Sequence, residues 1–281
     1  MTKRALCRAL RAPILCAILL LACAALSEPT AAAGGPVTVR YAEGLTHGFF
    51  VVRTQDGRQI ADGELRQVAH GDRVINRITF HFQDGSIEDE TTVFSEHGVF
   101  RLLSDHFLQK GPAFKGSVET SIDTATGRVV VHYTDNGKQK VITERLDLPS
   151  DLSNGLLFTL LKNVQPTTPK TTVSYLGFTP KPIIVQLLIT PRDKQAFTTG
   201  KSKHTAIDFD VKTEIGGVTG IVTHLLGKLP ADTHVWVLAD EAPAFVGMEG
   251  PFYSGGPIWQ VDLVSPIRRG PVEAASPAST K

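Results

Sequence analysis

Cysteine is scarce in this chain: there are three, Cys7, Cys16 and Cys23, and all fall in the first 33 residues. The other 248 residues contain no thiol, which excludes disulfides, thiolate metal sites and cysteine nucleophiles from that part. A chain of this length buries enough core to stand without covalent staples. Basic excess is lacking too. Residues 1–33 carry four of the 29 Lys and Arg and one of the 28 Asp and Glu, so the remainder has 25 and 27 and a net charge of about −2. That balance gives nucleic acid nothing to bind, and no polybasic block favours an anionic membrane surface. Compact chemical motifs are also missing. Gly227-Lys228 ends like a phosphate loop, but Val222 and Leu229 break it, and Gly216, Gly217 and Gly220 do not make a dinucleotide fingerprint. Ser254 has Phe252 where a nucleophile elbow needs glycine. No two of the nine histidines have metal-ligand spacing. No catalytic residue, metal ligand or cofactor is therefore expected.

The chain has only one long apolar run, Ala12 to Leu26, and at 15 residues it falls short of the roughly 20 needed to span a bilayer. It follows Lys3, Arg4, Arg8 and Arg11 and precedes Ala31-Ala32-Ala33, the charged, apolar and small-residue order of an export signal. Residues 1–33 are thus expected to be a signal peptide, leaving a periplasmic or secreted protein with no transmembrane helix. Leu20-Leu21-Ala22-Cys23 resembles a lipobox, and lipidation at Cys23 is the alternative, giving a protein lipid-anchored to a membrane.

What is present points to strands. Asp56-Gly57, His70-Gly71, Asp84-Gly85, His97-Gly98 and Asn136-Gly137 are turn dipeptides separated by segments rich in Val, Ile, Thr and Phe. Val74, Ile78, Phe80 and Phe82 share one parity, as do Val129, Val131 and Tyr133, and again Thr205, Ile207, Phe209 and Val211. Such alternation predicts antiparallel strands with one apolar and one wet face. Ile183 to Ile189 is apolar on both parities apart from Gln186 and reads as a doubly covered central strand. Leu152, Leu156, Leu160 and Val164 recur every four residues and predict one helix over about 151–163, capped by Ser150 or Asp151, with Gly155 inside it. A linker over about 165–172 follows. The expected fold is mainly β: one domain over 34–267, a large curled antiparallel sheet (half-barrel or open barrel) with one packed helix, then a disordered tail over 268–281.

Among polar groups, Asp208 and Asp210 share a strand face with His204, and Lys212 supplies a counter-charge. They read as a solvated face, with a metal-dependent hydrolase as the chemical alternative. Asp84, Glu88, Asp89 and Glu90 read as an acidic cluster that keeps a hairpin soluble. Phe245, Phe252 and Tyr253 lie among glycines and prolines and are expected on loops.

Leu146-Asp-Leu-Pro-Ser-Asp-Leu-Ser-Asn-Gly155, Ile215-Gly-Gly-Val-Thr-Gly220, Leu226-Gly-Lys-Leu-Pro-Ala-Asp232 and Gly255-Gly-Pro-Ile-Trp-Gln260 resemble exported bacterial proteins of unknown function. The resemblance carries no catalytic residues. At the level of fold alone, a curled sheet with a helix is similar to the half-barrels that carry lipids or lipoproteins across the periplasm. The expectation is a non-catalytic extracytoplasmic binding protein for a lipid or other hydrophobic ligand. Leu156 and Leu160 would line an apolar groove, with Trp236, Phe252 and Trp259 near its mouth. An envelope structural or protein-interaction module, contacting a partner through the Ala242–Pro257 segment, is the second expectation.

Overall fold

The computed structural model describes residues 34–135, 137–177, 181–199, 202–214, 231–239 and 242–265. The leader, the Gly216–Gly220 and Gly227-Lys228 runs, His224 and the 268–281 tail lie outside the described residues. Eight strands precede a short helix. They are β1 (Thr46–Thr54), β2 (Gln59–His70), β3 (Arg73–Phe82), β4 (Ile87–Ser95), β5 (Arg101–Lys110), β6 (Val118–Asp123), β7 (Arg128–Asp135) and β8 (Lys138–Arg145). Helix α1 is Leu157–Asn163. Six strands follow: β9 (Thr171–Gly177), β10 (Ile183–Thr199), β11 (Ser202–Glu214), β12 (Thr233–Leu238), β13 (Phe245–Pro251) and β14 (Ile258–Val264).

All fourteen form one antiparallel sheet in the order β8-β7-β6-β5-β4-β3-β2-β1-β14-β13-β12-β11-β10-β9. Each strand lies beside its sequence neighbour, and β14 returns to pair with β1, Val52 opposite Val261. The one adjacency missing from a closed ring is β8 with β9, the two strands separated in sequence by the helix. The sheet is an up-and-down barrel left open at one seam.

The alternation read from the sequence sets the inner face. On β3, Val74, Ile78, Phe80 and Phe82 are buried together with Asn76, and on β11 Ile207, Phe209 and Val211 are buried. The tight turns at Asp56-Gly57 and Asp84-Gly85 hold β1–β2 and β3–β4 in register, the glycines at φ 87° and 86°. Phe50, Phe80, Phe82, Phe114, Phe252 and Trp259 mesh mostly edge-to-face, with centroids 5.0–6.3 Å apart.

Three expectations are corrected here. β10 is the second strand from an edge, with Ile184 on its outer face 38 % exposed, so it is covered fully on one side only. Phe245 opens strand β13 and is buried, while Phe252 and Tyr253 lie in the β13–β14 turn. The helix starts at Leu157, six residues later than the periodicity predicts, because the preceding segment bonds to β9 instead. Asp151 Oδ1 accepts from Ser174 Oγ at 2.8 Å, and Ser153 N–H donates to the Ser174 carbonyl at 2.9 Å. The expected cap thus points away from the helix, whose N-terminus has no side-chain cap. Gly155, at φ 64°, turns the chain into α1 rather than sitting inside it.

α1 is held by packing, not propensity. It buries Leu160 and Leu161, and Phe158 lies 4.2 Å from Phe245 between ring centroids. Lys162 pairs with Glu43 at 2.6 Å. Asn163 Oδ1 accepts from the backbone N–H groups of Arg40 and Tyr41, each at 2.8 Å, tying the helix end to the N-terminal run.

Candidate functional site

Two adjoining cavities, of about 300 and 200 Å³, lie on the concave side of the sheet. Phe107, Leu157, Tyr175, Leu187, Met248 and Phe252 border both. The walls come from distant parts of the chain: β5 gives Phe107, α1 gives Leu157, β9 and β10 give Tyr175 and Leu187, and β13 with its turn gives Met248 and Phe252. Among the described residues, neither cavity is bordered by Lys, Arg or His.

The smaller cavity has an acidic wall. Glu88 and Glu90 are two apart on β4 and share a face, opposite Phe80 and Ile78 of β3, and both border the cavity. On β5, Asp105 stands opposite Thr92 and is 2 % exposed. Its Oδ1 accepts from Thr92 Oγ1 at 2.9 Å, whereas its Oδ2 is buried without a hydrogen-bond partner. Glu88 accepts from Gln109 Nε2 at 2.6 Å. Gly155 closes the far side: a Cβ there would meet Thr92 Oγ1 at 1.8 Å and Asp105 Oδ1 at 3.0 Å. Only glycine lets the loop lie this close.

Burial disfavours the ionised form of these carboxyls. Glu88 and Glu90 keep partial exposure where they border the cavity, yet they lie deep enough that desolvation governs their ionisation. It pushes Glu88 up to about 8, against the smaller opposing effect of the Gln109 hydrogen bond. Asp105 is pushed up to about 7, again by burial, with Thr92 and His106 opposing. Glu90 rises well above the usual range through burial and then through the charges of Asp105 and Glu88. Tyr175 is raised by burial and by the same three carboxyls. At neutral pH the wall therefore holds most of its protons.

This corrects the reading of the acidic run. Asp84 is exposed at the turn, and Asp89 faces outward, held by Arg77 at 2.7 Å and Thr79 at 2.8 Å. Glu88 and Glu90 point inward, because the pleat sends them to the same side as Phe94.

The sequence-predicted site residues are only partly brought together. Phe252 borders both cavities. Trp259 is buried against Phe82, Phe114 and Phe252 and borders a separate space of about 230 Å³. Leu156 and Leu160 sit within the packed core, and their neighbours Leu157 and Phe158 reach the cavity instead. Trp236 alternates with the inward Val235 and Val237 and lies on the opposite face, beside His234.

Asp208 and Asp210 also occupy that outer face, but they are buried (8 % and 1 % exposed) and not solvated. Side chains from neighbouring strands cover them. Arg192 bonds Asp210 at 2.5 Å, Lys212 approaches it at 3.5 Å, and His234 Nδ1 lies 3.1 Å from Asp208. Burial pushes the Asp210 carboxyl up, but Arg192 and Lys212 outweigh it and hold it below its ordinary value. A carboxylate so occupied is a structural ion pair.

The strands thus define one large, unclosed antiparallel sheet with two adjoining cavities on its inner face. Among the described residues no helix is long and apolar enough to cross a membrane. No family model matches the chain, and no curated protein matches it. Among solved structures it is similar to a β-barrel-like protein of the domain of unknown function DUF1849 from Brucella abortus, at 10 % identity and a TM-score of 0.43, covering 80 % of this chain and 98 % of that one.

Proposed function

We propose that this chain is an extracytoplasmic, non-catalytic binding protein that holds a hydrophobic ligand on the concave side of its open barrel. The observation that carries this reading is the pair of adjoining cavities, about 300 and 200 Å³, walled by Phe107, Leu157, Leu187, Met248 and Phe252. Their combined size falls within the range of small-molecule sites, which are apolar with a few placed polar groups. The seam between β8 and β9 supports the same reading, since a barrel opened at one pairing gives a ligand a way in. The export-signal pattern of residues 1–33 supports an extracytoplasmic location for such a carrier.

The test uses the neutral fluorescent probe N-phenyl-1-naphthylamine. The purified protein is expected to bind about one equivalent. Met248→Trp fills space where the two cavities meet and should weaken binding at least tenfold while the circular dichroism spectrum stays that of a β protein. A folded Met248→Trp variant that binds the probe as well as the parent would refute the site.

A further inference from the structure

We infer that the acidic wall formed by Glu88 and Glu90, with Asp105 buried beside it, is a recognition site for a positively charged amine head group on the hydrophobic ligand. The inference rests on the cavity reading above and adds the ligand's chemical class.

The argument begins with what is missing. Two carboxyl groups, Glu88 and Glu90, border the end of an apolar cavity with Asp105 buried close by, and among the described residues no Lys, Arg or His borders that cavity. Three other buried or half-buried acids have cations: Asp210 has Arg192, Asp89 has Arg77 and Glu43 has Lys162; buried Asp151 is held by the Ser174 hydroxyl instead. Proteins bury carboxylates against a partner or keep them protonated, and among the described residues this wall has no cationic partner. Its hydrogen bonding is incomplete in the same place. Asp105, almost fully buried, leaves Oδ2 without a partner, and Glu88 receives only the Gln109 amide.

Among the described residues, the remaining groups facing the wall offer no positive charge. They are the Tyr175 hydroxyl from β9, Thr92 on β4, Gln109 on β5, and Ser153 and Gly155 from the loop before α1. His106, which acts on Asp105 from the same strand, points outward and pairs with Glu119 at 2.9 Å. A divalent metal is the less fitting cation, since Glu88, Glu90 and Asp105 do not converge closely enough to hold one ion among them. An alkylammonium fits better. Its three N–H donors match carboxyl acceptors spread along a wall, and its tail matches Phe107, Leu187 and Phe252.

Binding then carries a proton signature. The empty wall holds protons near neutrality, and an arriving ammonium stabilises a carboxylate, so up to one proton leaves the protein for the solvent per ligand bound.

The experiment compares decylamine, decanol and decanoate, each below its micellar concentration, as displacers of N-phenyl-1-naphthylamine from the purified protein at pH 8. Decylamine is expected to bind at least tenfold more tightly than decanol and decanoate more weakly than either. In Glu88→Gln/Glu90→Gln, the amine preference should fall to within threefold while decanol affinity is unchanged. Should that variant fail to fold, calorimetry of the parent at pH 6.5 in two buffers of different ionisation enthalpy replaces it. Proton release with decylamine and none with decanol is then the supporting result. Equal displacement by all three compounds, an amine preference that survives the double variant, or decylamine binding without proton release would each overturn the inference and leave the cavity reading standing. A protein that never binds the probe overturns both.

Discussion

Glu88 gives the most direct quantitative handle on the buried wall. Its ordinary pKa of 4.5 is raised to about 8 in the folded protein, chiefly by burial. A carboxyl that holds its proton more tightly when folded makes no difference below pH 4.5, where both states are protonated. Between pH 4.5 and 8 the unfolded chain releases a proton that the folded chain keeps or must lose at a cost. Stability therefore falls by about 1.4 kcal/mol per pH unit across that window. Above pH 8 the loss levels off, at about 5 kcal/mol on this shift. Glu88→Gln imitates the protonated form and still offers Gln109 an acceptor. Relative to the parent it should be neutral at pH 4, more stable by about 3 kcal/mol at pH 7 and by about 5 at pH 9. Urea unfolding at the three pH values, followed by the fluorescence of Trp236 and Trp259, measures this. An advantage that is the same at pH 4 and pH 9 would refute the claim that Glu88 ionises against its surroundings. Glu90 and Asp105 are shifted in the same direction, so the parent's own decline with pH should exceed what Glu88 alone accounts for.

Two further predictions concern the loop that roofs the wall. Gly155→Ala combines a left-handed backbone with a Cβ 1.8 Å from Thr92 Oγ1 and should cost more than about 3 kcal/mol. Gly57→Ala, where φ is 87° but nothing lies within 4 Å, should cost only about 1; equal costs in urea unfolding would show that the close approach is not there. Asn154→Ala removes bonds to the Leu176 N–H and carbonyl at 2.9 and 3.0 Å and should cost about 2–4 kcal/mol. It should also speed hydrogen exchange at the Leu176 amide, and an amide as protected as before would contradict this account.

The sheet was legible in the sequence because its determinants are local. A turn glycine every dozen or so residues and a period of two within β3, β7 and β11 leave little room for anything but a meander. The helix was half legible. The four-residue spacing of Leu152, Leu156, Leu160 and Val164 is real, but Leu152 belongs to a bridge with Ser174 on β9. The competition between a helix cap and an edge-strand partner for Asp151 is a tertiary matter. The acidic wall was hidden by β4 itself, where Glu88, Asp89 and Glu90 put acids on both faces. One signal was available: a tight Asp84-Gly85 turn sets Glu88 opposite Phe80 and Glu90 opposite Ile78, and those apolar partners mark the inner face. Asp105 and Tyr175 had no such signal, since only the long-range folding of β5 and β9 about the cavity brings them to it. The burial of Asp208 and Asp210 was equally non-local, because Arg192 reaches them from β10 and His234 from β12.

The seam explains why cavity, loop and acids occur in one place. A fourteen-stranded meander whose ends pair, β1 with β14, needs only the β8–β9 adjacency to close. The two edges at that gap are protected differently. β8 is mostly exposed and carries Lys138, Lys140, Glu144 and Arg145, the charged pattern that discourages further pairing. β9 is covered from inside the chain. Ser153 takes the Ser174 carbonyl, and the Asn154 side chain both donates to and accepts from Leu176 as a neighbouring strand would. The residue after that substitute strand is Gly155, and its left-handed turn lays the loop on Thr92 and Asp105 before sending Leu157 and Phe158 to the cavity wall. One stretch, Ser153 to Phe158, thus blocks closure of the barrel, roofs the acids and supplies part of the apolar lining. Loosening it at Asn154 should therefore change ligand binding as well as stability, whereas an equally costly substitution remote from the seam should change stability alone.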